Sequence, residues 1–211
     1  MYRRPFVLVA SAVAVLALVL APAALALRVH VRVEGMTRTI FGATEPVLDV
    51  TAADRTSRPA NALDALEFAS VAGEFYYHVK QFSFGPYVDQ IGRYPAGGTN
   101  GWVFKVNGAS PPVGADQVQL KDGDTVLWYF AQFGIVPGGP KTLRLTHAGK
   151  NCYRVLAEDD SGTGVSATGA VLHIGSKRTV RTQGGIRCIA PHRGLLVRAT
   201  LPGAIRSNAL T

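Results

Sequence analysis

Hydrophobic and polar residues alternate strictly between residues 27 and 34. A period of two is typical of a β-strand that has one buried and one exposed face. The apolar face would carry four side chains, namely Leu27, Val29, Val31 and Val33. The polar face would carry Arg28, His30, Arg32 and Glu34. We therefore predict a half-buried strand here, followed by a second strand region from Gly35 to about Val50.

One helix is predicted after these strands. Ser57-Arg58-Pro59 is typical of a helix start with proline early in the first turn, and Gly73 is typical of an end. The apolar stripe would contain Ala62, Leu63, Leu66 and Ala69, with Asp64 and Glu67 outside it.

Three further segments rich in aromatic and β-branched residues predict strands, at 75–84, 102–106 and 125–133. The turn Lys121-Asp122-Gly123-Asp124 precedes the last of them. The order strand, strand, helix, strand, strand, strand predicts a mixed sheet packed on one helix. A long loop at 84–101 would hold Tyr87 and Tyr94, and loops of that length are often functional.

The proline- and glycine-rich segment 135–140 predicts a linker between two domains, 27–134 and 141–211. Beyond it, short strands are predicted at 141–145, 152–158, 170–174, 179–182 and 195–200, with glycine-rich turns between them. This pattern is typical of a small all-β sandwich. The predicted fold class is therefore mostly β with one main helix, an α+β domain followed by a sandwich.

Residues 1–26 predict a signal peptide, with Arg3 and Arg4 before an apolar core and a cleavage site at Ala24-Leu25-Ala26. The alternative is a retained membrane anchor, since residues 6–27 form an uncharged run long enough to span a bilayer. We expect a secreted, extracytoplasmic or cell-surface-associated protein that contacts a membrane only if this segment is uncleaved.

Cys152 and Cys188 are the two cysteines of the chain. An even number of cysteines in an oxidising compartment predicts a disulfide. The alternatives are a metal-binding pair or a reactive thiol.

Charge separates the two predicted domains. Residues 27–139 contain 9 Lys+Arg and 11 Asp+Glu, whereas residues 140–211 contain 11 and 3. The second domain could therefore dock on an anionic surface such as lipid headgroups or a cell-wall polymer. The residues that suggest this are Lys177, Arg178, Arg181, Arg187, Arg193 and Arg198. The alternative is solvated charge on exposed strands, and no nucleic-acid motif is present.

No catalytic or metal-binding motif is evident. The serines lack a Gly-x-Ser-x-Gly elbow, and the five histidines lack ligand spacing. Asp122 with Asp124, and Asp159 with Asp160, offer too few oxygens for calcium, so turn chemistry explains them better. We expect the protein not to be an enzyme.

The segment Gly101-Trp102-Val103-Phe104-Lys105-Val106-Asn107-Gly108, followed by Lys121-Asp122-Gly123-Asp124-Thr125, resembles an uncharacterised secreted domain. That domain is similar to the C-terminal domain of transcobalamin and intrinsic factor. The resemblance covers about residues 27–133 and implies a β-grasp-like fold, with Trp102 at the position that faces the ligand in the vitamin carriers. Their large α-helical barrel has no counterpart in this sequence, so a corrinoid is implied by resemblance only and we expect no cofactor.

Residues 141–208 resemble a carboxypeptidase-regulatory or bacterial immunoglobulin-like accessory domain, through Glu158-Asp159-Asp160-Ser161-Gly162 and residues 169–175 and 195–208. This resemblance implies a spacer or attachment module.

We hypothesise that Tyr87, Tyr94 and Trp102 form one ligand or partner edge, because aromatic faces give a large contact area. Each of these residues could instead be a core residue. The expected function is a non-enzymatic module that binds a small ligand or surface component. The alternative is a structural or adhesive surface protein that binds another protein. A concave aromatic pocket near Trp102 would favour the small ligand.

Overall fold

The computed structural model describes residues 26–134 and 139–211. The predicted signal segment 1–26 lies almost wholly outside the described residues, as does most of the predicted linker 135–140. Within the described part, no helix is long and apolar enough to cross a membrane.

The first domain contains one helix, α1 (Ala62–Gly73), and eight strands. The strands are β1 (Leu27–Glu34), β2 (Thr39–Phe41), β3 (Val47–Val50), β4 (Tyr77–Phe82), β5 (Gly85–Ile91), β6 (Tyr94–Pro95), β7 (Asn100–Val106) and β8 (Thr125–Gln132). The predicted α+β class with a single helix is confirmed.

The main sheet of this domain is mixed. Its order is β2-β1-β8-β7, with β3 also paired to β1. Strands β1 and β8 are parallel, whereas β7 and β8 are antiparallel. The predicted apolar face of β1 packs against the helix, and Val29, Val31 and Val33 are fully buried there.

The segment predicted as a long loop is a β-hairpin, so that prediction is wrong. Residues 85–91 form β5, which pairs with β4, and β6 pairs with β5. Val88 and Ile91 of β5 are buried in the core. Of the residues that suggested a loop, Gly92, Gly97 and Gly98 lie between strands, whereas Pro86 and Pro95 lie within β5 and β6.

The helix begins later than predicted, after an N-cap at Asn61. The Asn61 side chain accepts hydrogen bonds from the N–H groups of Leu63 and Asp64, and the Asp64 carboxylate accepts from the Asn61 N–H. Asp64, predicted outside the stripe, is buried because it closes this capping box and pairs with Arg58 at 2.6 Å. Gly73 ends the helix as predicted.

The second domain is all β, and the predicted sandwich is confirmed. Its strands are β9 (Thr142–Gly149), β10 (Cys152–Glu158), β11 (Gly164–Ser166), β12 (Val171–Ile174), β13 (Arg178–Arg181), β14 (Ile186–Cys188), β15 (Val197–Thr200) and β16 (Ala209–Leu210). One sheet has the order β11-β10-β14 with β9 on β10, and the other has the order β13-β12-β15-β16. A shared apolar core that includes Leu143, Val155 and Leu172 lies between them.

The predicted disulfide joins Cys152 to Cys188. The two residues are direct partners in the antiparallel pair of β10 and β14. The bridge therefore closes a 36-residue separation at the end of one sheet.

The polar face of β1 is not exposed at its C-terminal end, because the second domain covers it. Arg32 and Glu34 are both buried there. The Glu34 carboxylate contacts the guanidinium groups of Arg32 at 3.3 Å and Arg206 at 3.0 Å, and it also contacts Arg198. Arg198 and Arg206 belong to the second domain, so one carboxylate joins both domains.

A second buried contact between the domains involves Lys105 of β7. Its ammonium donates to Thr142 Oγ1 at 3.1 Å and to the carbonyl oxygens of Glu158 and Asp159. Burial lowers the pKa of Lys105, and the neighbouring carboxylates oppose that shift. The two faces of β7 therefore have different roles. Trp102 and Phe104 pack in the core on the helix side, whereas Lys105 points to the other side and contacts the second domain.

We predict that Glu34→Gln lowers the free energy of unfolding by about 3–5 kcal/mol, because the partly buried guanidinium groups of Arg198 and Arg206 lose the one carboxylate that they contact in the described chain, while Arg32 keeps its ion pair with Glu45. Urea unfolding followed by circular dichroism measures this. The matched control is Lys80→Ala, which breaks an exposed ion pair with Asp89 and should cost about 1 kcal/mol or less. Equal effects of the two substitutions would contradict a structural role for Glu34.

We also predict that replacing both Cys152 and Cys188 by alanine lowers the free energy of unfolding by about 4 kcal/mol, from the chain-entropy estimate for a loop of this length. Urea unfolding of this variant and of the oxidised wild type gives the difference. A change below about 1 kcal/mol would show that the bridge does not stabilise the sandwich.

Candidate functional site

A concave groove of about 580 Å³ lies at the β7 edge of the main sheet. Its floor includes Trp102, Phe104 and Trp128. The hairpin of β4 and β5 contributes Phe84 from its turn and Tyr87 from β5, and the segment 110–117 contributes prolines and Val113. The lining is mostly apolar and aromatic, which is typical of ligand-binding pockets.

Two of the three predicted site residues line this groove, namely Tyr87 and Trp102. Tyr94 does not: its ring packs on Phe130 and its hydroxyl contacts Thr37 Oγ1 at 2.8 Å. Tyr94 and Trp102 are instead linked within the core, where the Trp102 indole N–H donates to the Tyr94 carbonyl at 2.8 Å. The structure therefore brings Tyr87 and Trp102 to one groove and places Tyr94 beneath it.

Trp102 is mainly a core residue. It is 2% exposed and meets Phe130 edge-on, with ring centroids 5.4 Å apart. Trp128 is equally buried, donates to the Ala62 carbonyl at 3.3 Å and stacks with Phe104. The groove floor is thus part of the packed core, so its shape is fixed by packing that serves the fold.

The rim of the groove is the exposed part. Phe84 is 68% exposed at the hairpin turn and stacks on Phe82 at 5.2 Å. Val113 is 44% exposed on the segment 110–117, and Phe133 is also exposed. The strand prediction for 75–84 did not single out Phe84, because residues at a tight turn follow no alternating pattern.

Gly101 leaves room for the Tyr87 hydroxyl beside β7. A Cβ at residue 101 would lie 2.6 Å from the Tyr87 hydroxyl oxygen, so any other residue there would force the Tyr87 side chain to shift. The glycine of the Gly-Trp motif therefore permits the Tyr87 ring to reach its place in the groove.

The rest of the resemblance motif builds the turns behind the groove. Asn107 and Gly108 both have positive φ, and Val106 and Ala109 exchange both backbone hydrogen bonds, as in a tight hairpin turn. The Asn107 side chain donates to the Asp124 carboxylate at 2.8 Å and accepts from the Thr125 N–H at 2.9 Å. The Val-Asn-Gly and Lys-Asp-Gly-Asp segments are thus joined to each other.

The second domain contributes Asp160 to the groove, and Asp160 is its only charged lining side chain among the described residues. The Asp160 carbonyl accepts from the Ser110 N–H at 2.8 Å, and its carboxylate accepts from the Ser110 hydroxyl at 3.0 Å. Burial, with a smaller effect of Asp160, raises the pKa of nearby Tyr129 to about 12. Tyr129 is therefore a neutral phenol at neutral pH.

The acidic turns have the structural role that was predicted. Asp122 accepts from the Arg28 N–H, Asp124 from the Lys121 N–H, and Asp159 from the N–H groups of Ser161 and Thr163. Among the histidines, His192 is buried, and its Nε2 lies 2.7 Å from the Tyr153 hydroxyl oxygen. It is covered because it packs against the Tyr153 ring.

The predicted basic surface is smaller than its six residues suggest. Arg198 is held at the domain interface by Glu34, and Arg187 is only half-exposed. Lys177, Arg178, Arg181 and Arg193 are exposed. Two exposed leucines, Leu195 and Leu196, closely follow Arg193 in the sequence. The Gly175 N–H donates to the Leu196 carbonyl at 2.8 Å, which also brings Lys177 and Arg178 near these leucines.

The donor set of the groove fits a corrinoid only in part. Among the described residues, the lining contains no histidine or cysteine that could ligate cobalt. The aromatic floor could contact one apolar face of a ring, as it could for other flat ligands.

Comparison with known proteins agrees with the resemblance in one segment. No curated protein matches the chain. Residues 61–132, about a third of the chain, match the family model described as a domain of unknown function (DUF4430), a domain known from transcobalamin-like proteins.

Proposed function

We propose that the protein is an exported, non-enzymatic binding module whose ligand occupies the groove at the β7 edge. The observation that carries this proposal is a concave, aromatic groove beside Trp102, which favours a small ligand or a short segment over a flat protein surface. The match to a domain known from transcobalamin-like proteins supports ligand binding in general and names no ligand. The disulfide supports an oxidising compartment.

The second domain would do more than space or attach the first. It resembles accessory domains, yet its Asp160 segment braces Ser110 at one end of the groove. Its partly buried Arg198 and Arg206 also hold β1 through Glu34. We therefore propose that both domains are needed for a groove of the observed shape.

Thermal-shift and tryptophan-fluorescence titrations of residues 27–211 with corrinoids, haem, glycans and cell-wall fragments test this function. Both tryptophans of the chain line the groove, so their fluorescence reports on this site. A ligand that binds there should raise the melting temperature in a concentration-dependent way.

A pair of matched variants localises the binding. Val113→Glu adds a charge at the groove rim and should weaken a ligand at least about tenfold, or ~1.4 kcal/mol. Val165→Glu changes an equally exposed valine, at 51% exposure on β11, and should have little effect. Both residues are exposed, so neither change should unfold the protein. Absence of any ligand, or equal loss in both variants, would contradict the proposal.

A second candidate function is docking on an anionic lipid surface through the second domain. Leu195 and Leu196 are 42% and 41% exposed, and they share one end of the sandwich with Lys177, Arg178 and Arg193. Apolar side chains flanked by cations suit a bilayer of anionic lipid, where each cation contributes about 1 kcal/mol. The leucines favour a bilayer over a soluble polymer.

Co-sedimentation with phosphatidylglycerol vesicles tests this docking. We predict binding that weakens with salt, is absent with phosphatidylcholine, and falls at least about fivefold in a Leu195→Ser/Leu196→Ser variant. The control is Val165→Ser, an exposed apolar residue elsewhere on the same domain. Equal binding to both lipids, or retention of binding by the leucine variant, would exclude this surface.

A further inference from the structure

No strand is hydrogen-bonded to the outer edge of β7 in the described chain, although Tyr87 of β5 lies against Gly101. β7 is the last strand of the order β2-β1-β8-β7, and within residues 26–134 and 139–211 its only strand partner is β8. A free sheet edge presents unpaired N–H and C=O groups to any extended chain that approaches it.

The register fixes which backbone groups of β7 point outward. The Phe133 N–H donates to the Thr99 carbonyl at 3.0 Å, and the Asn107 N–H donates to the Thr125 carbonyl at 2.9 Å. In an antiparallel pair, hydrogen-bonded and non-hydrogen-bonded positions alternate. The odd-numbered residues from 99 to 107 therefore bond to β8, and the N–H and C=O groups of the even-numbered residues point away from it.

Both ends of this outer edge are already closed. Asn100 exchanges two backbone hydrogen bonds with Gly97, each 3.0 Å long. Val106 does the same with Ala109, at 2.9 and 3.1 Å. Between these closed ends, Trp102 and Phe104 are the even-numbered residues whose outward groups have no ladder partner in the described chain.

The groove follows the same part of the strand. Its lining includes Trp102 and Phe104, whose side chains lie on the helix side, and Val103, which lies on the opposite side. A cavity that contacts both faces of a strand runs along its edge. Donors and acceptors of the backbone thus lie within an apolar groove rather than on open surface.

We infer that the groove binds an extended peptide segment, which pairs with the outer edge of β7 at Trp102 and Phe104. A flat ring could cover the apolar lining, but it would leave these backbone groups unpaired. A peptide in the β conformation supplies N–H and C=O groups on one edge at every second residue, as strand addition requires.

The lining also defines the chemistry of the peptide. Apolar side chains suit the aromatic floor, and the segment should be short because the open edge spans two outward-facing residues. Asp160, as the charged lining residue, favours a neutral or basic segment over an acidic one. This inference rests on the proposed function and names the class of ligand.

Blocked pentapeptides test the inference directly. The probes carry apolar residues at positions one and three, threonine at positions two and four, and a lysine amide at position five. Tryptophan fluorescence of the full mature chain should change saturably, because both tryptophans line the groove. N-methylation at one of two adjacent central residues should weaken binding about tenfold, and at the other it should not. This alternation is expected only if every second amide bonds to the strand.

Two variants at one position test the protein side. Phe104→Pro removes the outward N–H without removing a bond to β8, whereas Phe104→Ala shortens the same side chain and keeps that N–H. The proline variant should bind the peptide about tenfold more weakly than the alanine variant. If the proline variant fails to fold, the N-methyl series on the wild-type protein still decides.

The outcomes separate this inference from the proposed function. Equal binding of both N-methylated peptides, or absence of binding by every pentapeptide, would overturn strand addition. If small ligands bind and Val113→Glu weakens their binding, while the peptides do not bind, the groove is a site for small molecules and not for peptides. If neither kind of probe binds, the proposed function fails as well.

Discussion

The relation between the two domains depends on one buried carboxylate, that of Glu34. It lies on the face of the main sheet opposite the helix, where its negative charge compensates the positive charges of Arg32, Arg198 and Arg206. Transferring such charges from water is costly, and the cost is offset only when the partners keep their geometry. The interface therefore contributes more to fixing the relative position of the domains than to net stability. Because that position is fixed, loops of the second domain can act as walls for sites on the first.

The groove at the β7 edge is one consequence of this arrangement. Its floor is core packing, with Trp102 and Trp128 anchored by hydrogen bonds to backbone carbonyls. The second domain stabilises the groove through Asp160, whose carboxylate accepts a hydrogen bond from the Ser110 hydroxyl of the first domain. A ligand would thus meet a surface that is already ordered, and less free energy would be lost in ordering side chains on binding. The exposed rim at Phe84 and Val113 is the part that can adapt.

The sequence predicted the local patterns well and the long-range contacts poorly. Strict alternation identified β1 and its buried face, and turn-rich spacing identified the sandwich, because both follow from the two-residue period of strands. The same alternation suggested that Arg32 and Glu34 face solvent, which is wrong because the second domain covers them. Asp64 was misplaced for a related reason, since its burial depends on Asn61 and Arg58. The prediction of Tyr87, Tyr94 and Trp102 as one ligand edge stays a prediction; the structure brings Tyr87 and Trp102 to one groove, whereas the pairing of β6 with β5 places Tyr94 in the core.

The motif that carries the resemblance specifies the scaffold and leaves the ligand open. Gly101 makes room for Tyr87, Trp102 fills the core, and Asn107 ties its turn to Asp124. None of these three roles selects a ligand. The residues that would select one lie at the rim and include Asp160, which falls outside the matched segment 61–132. Chains that share this segment can therefore share the sheet edge and its aromatic floor while differing in what they bind, and the charge of the ligand here depends on how the second domain is held against the first.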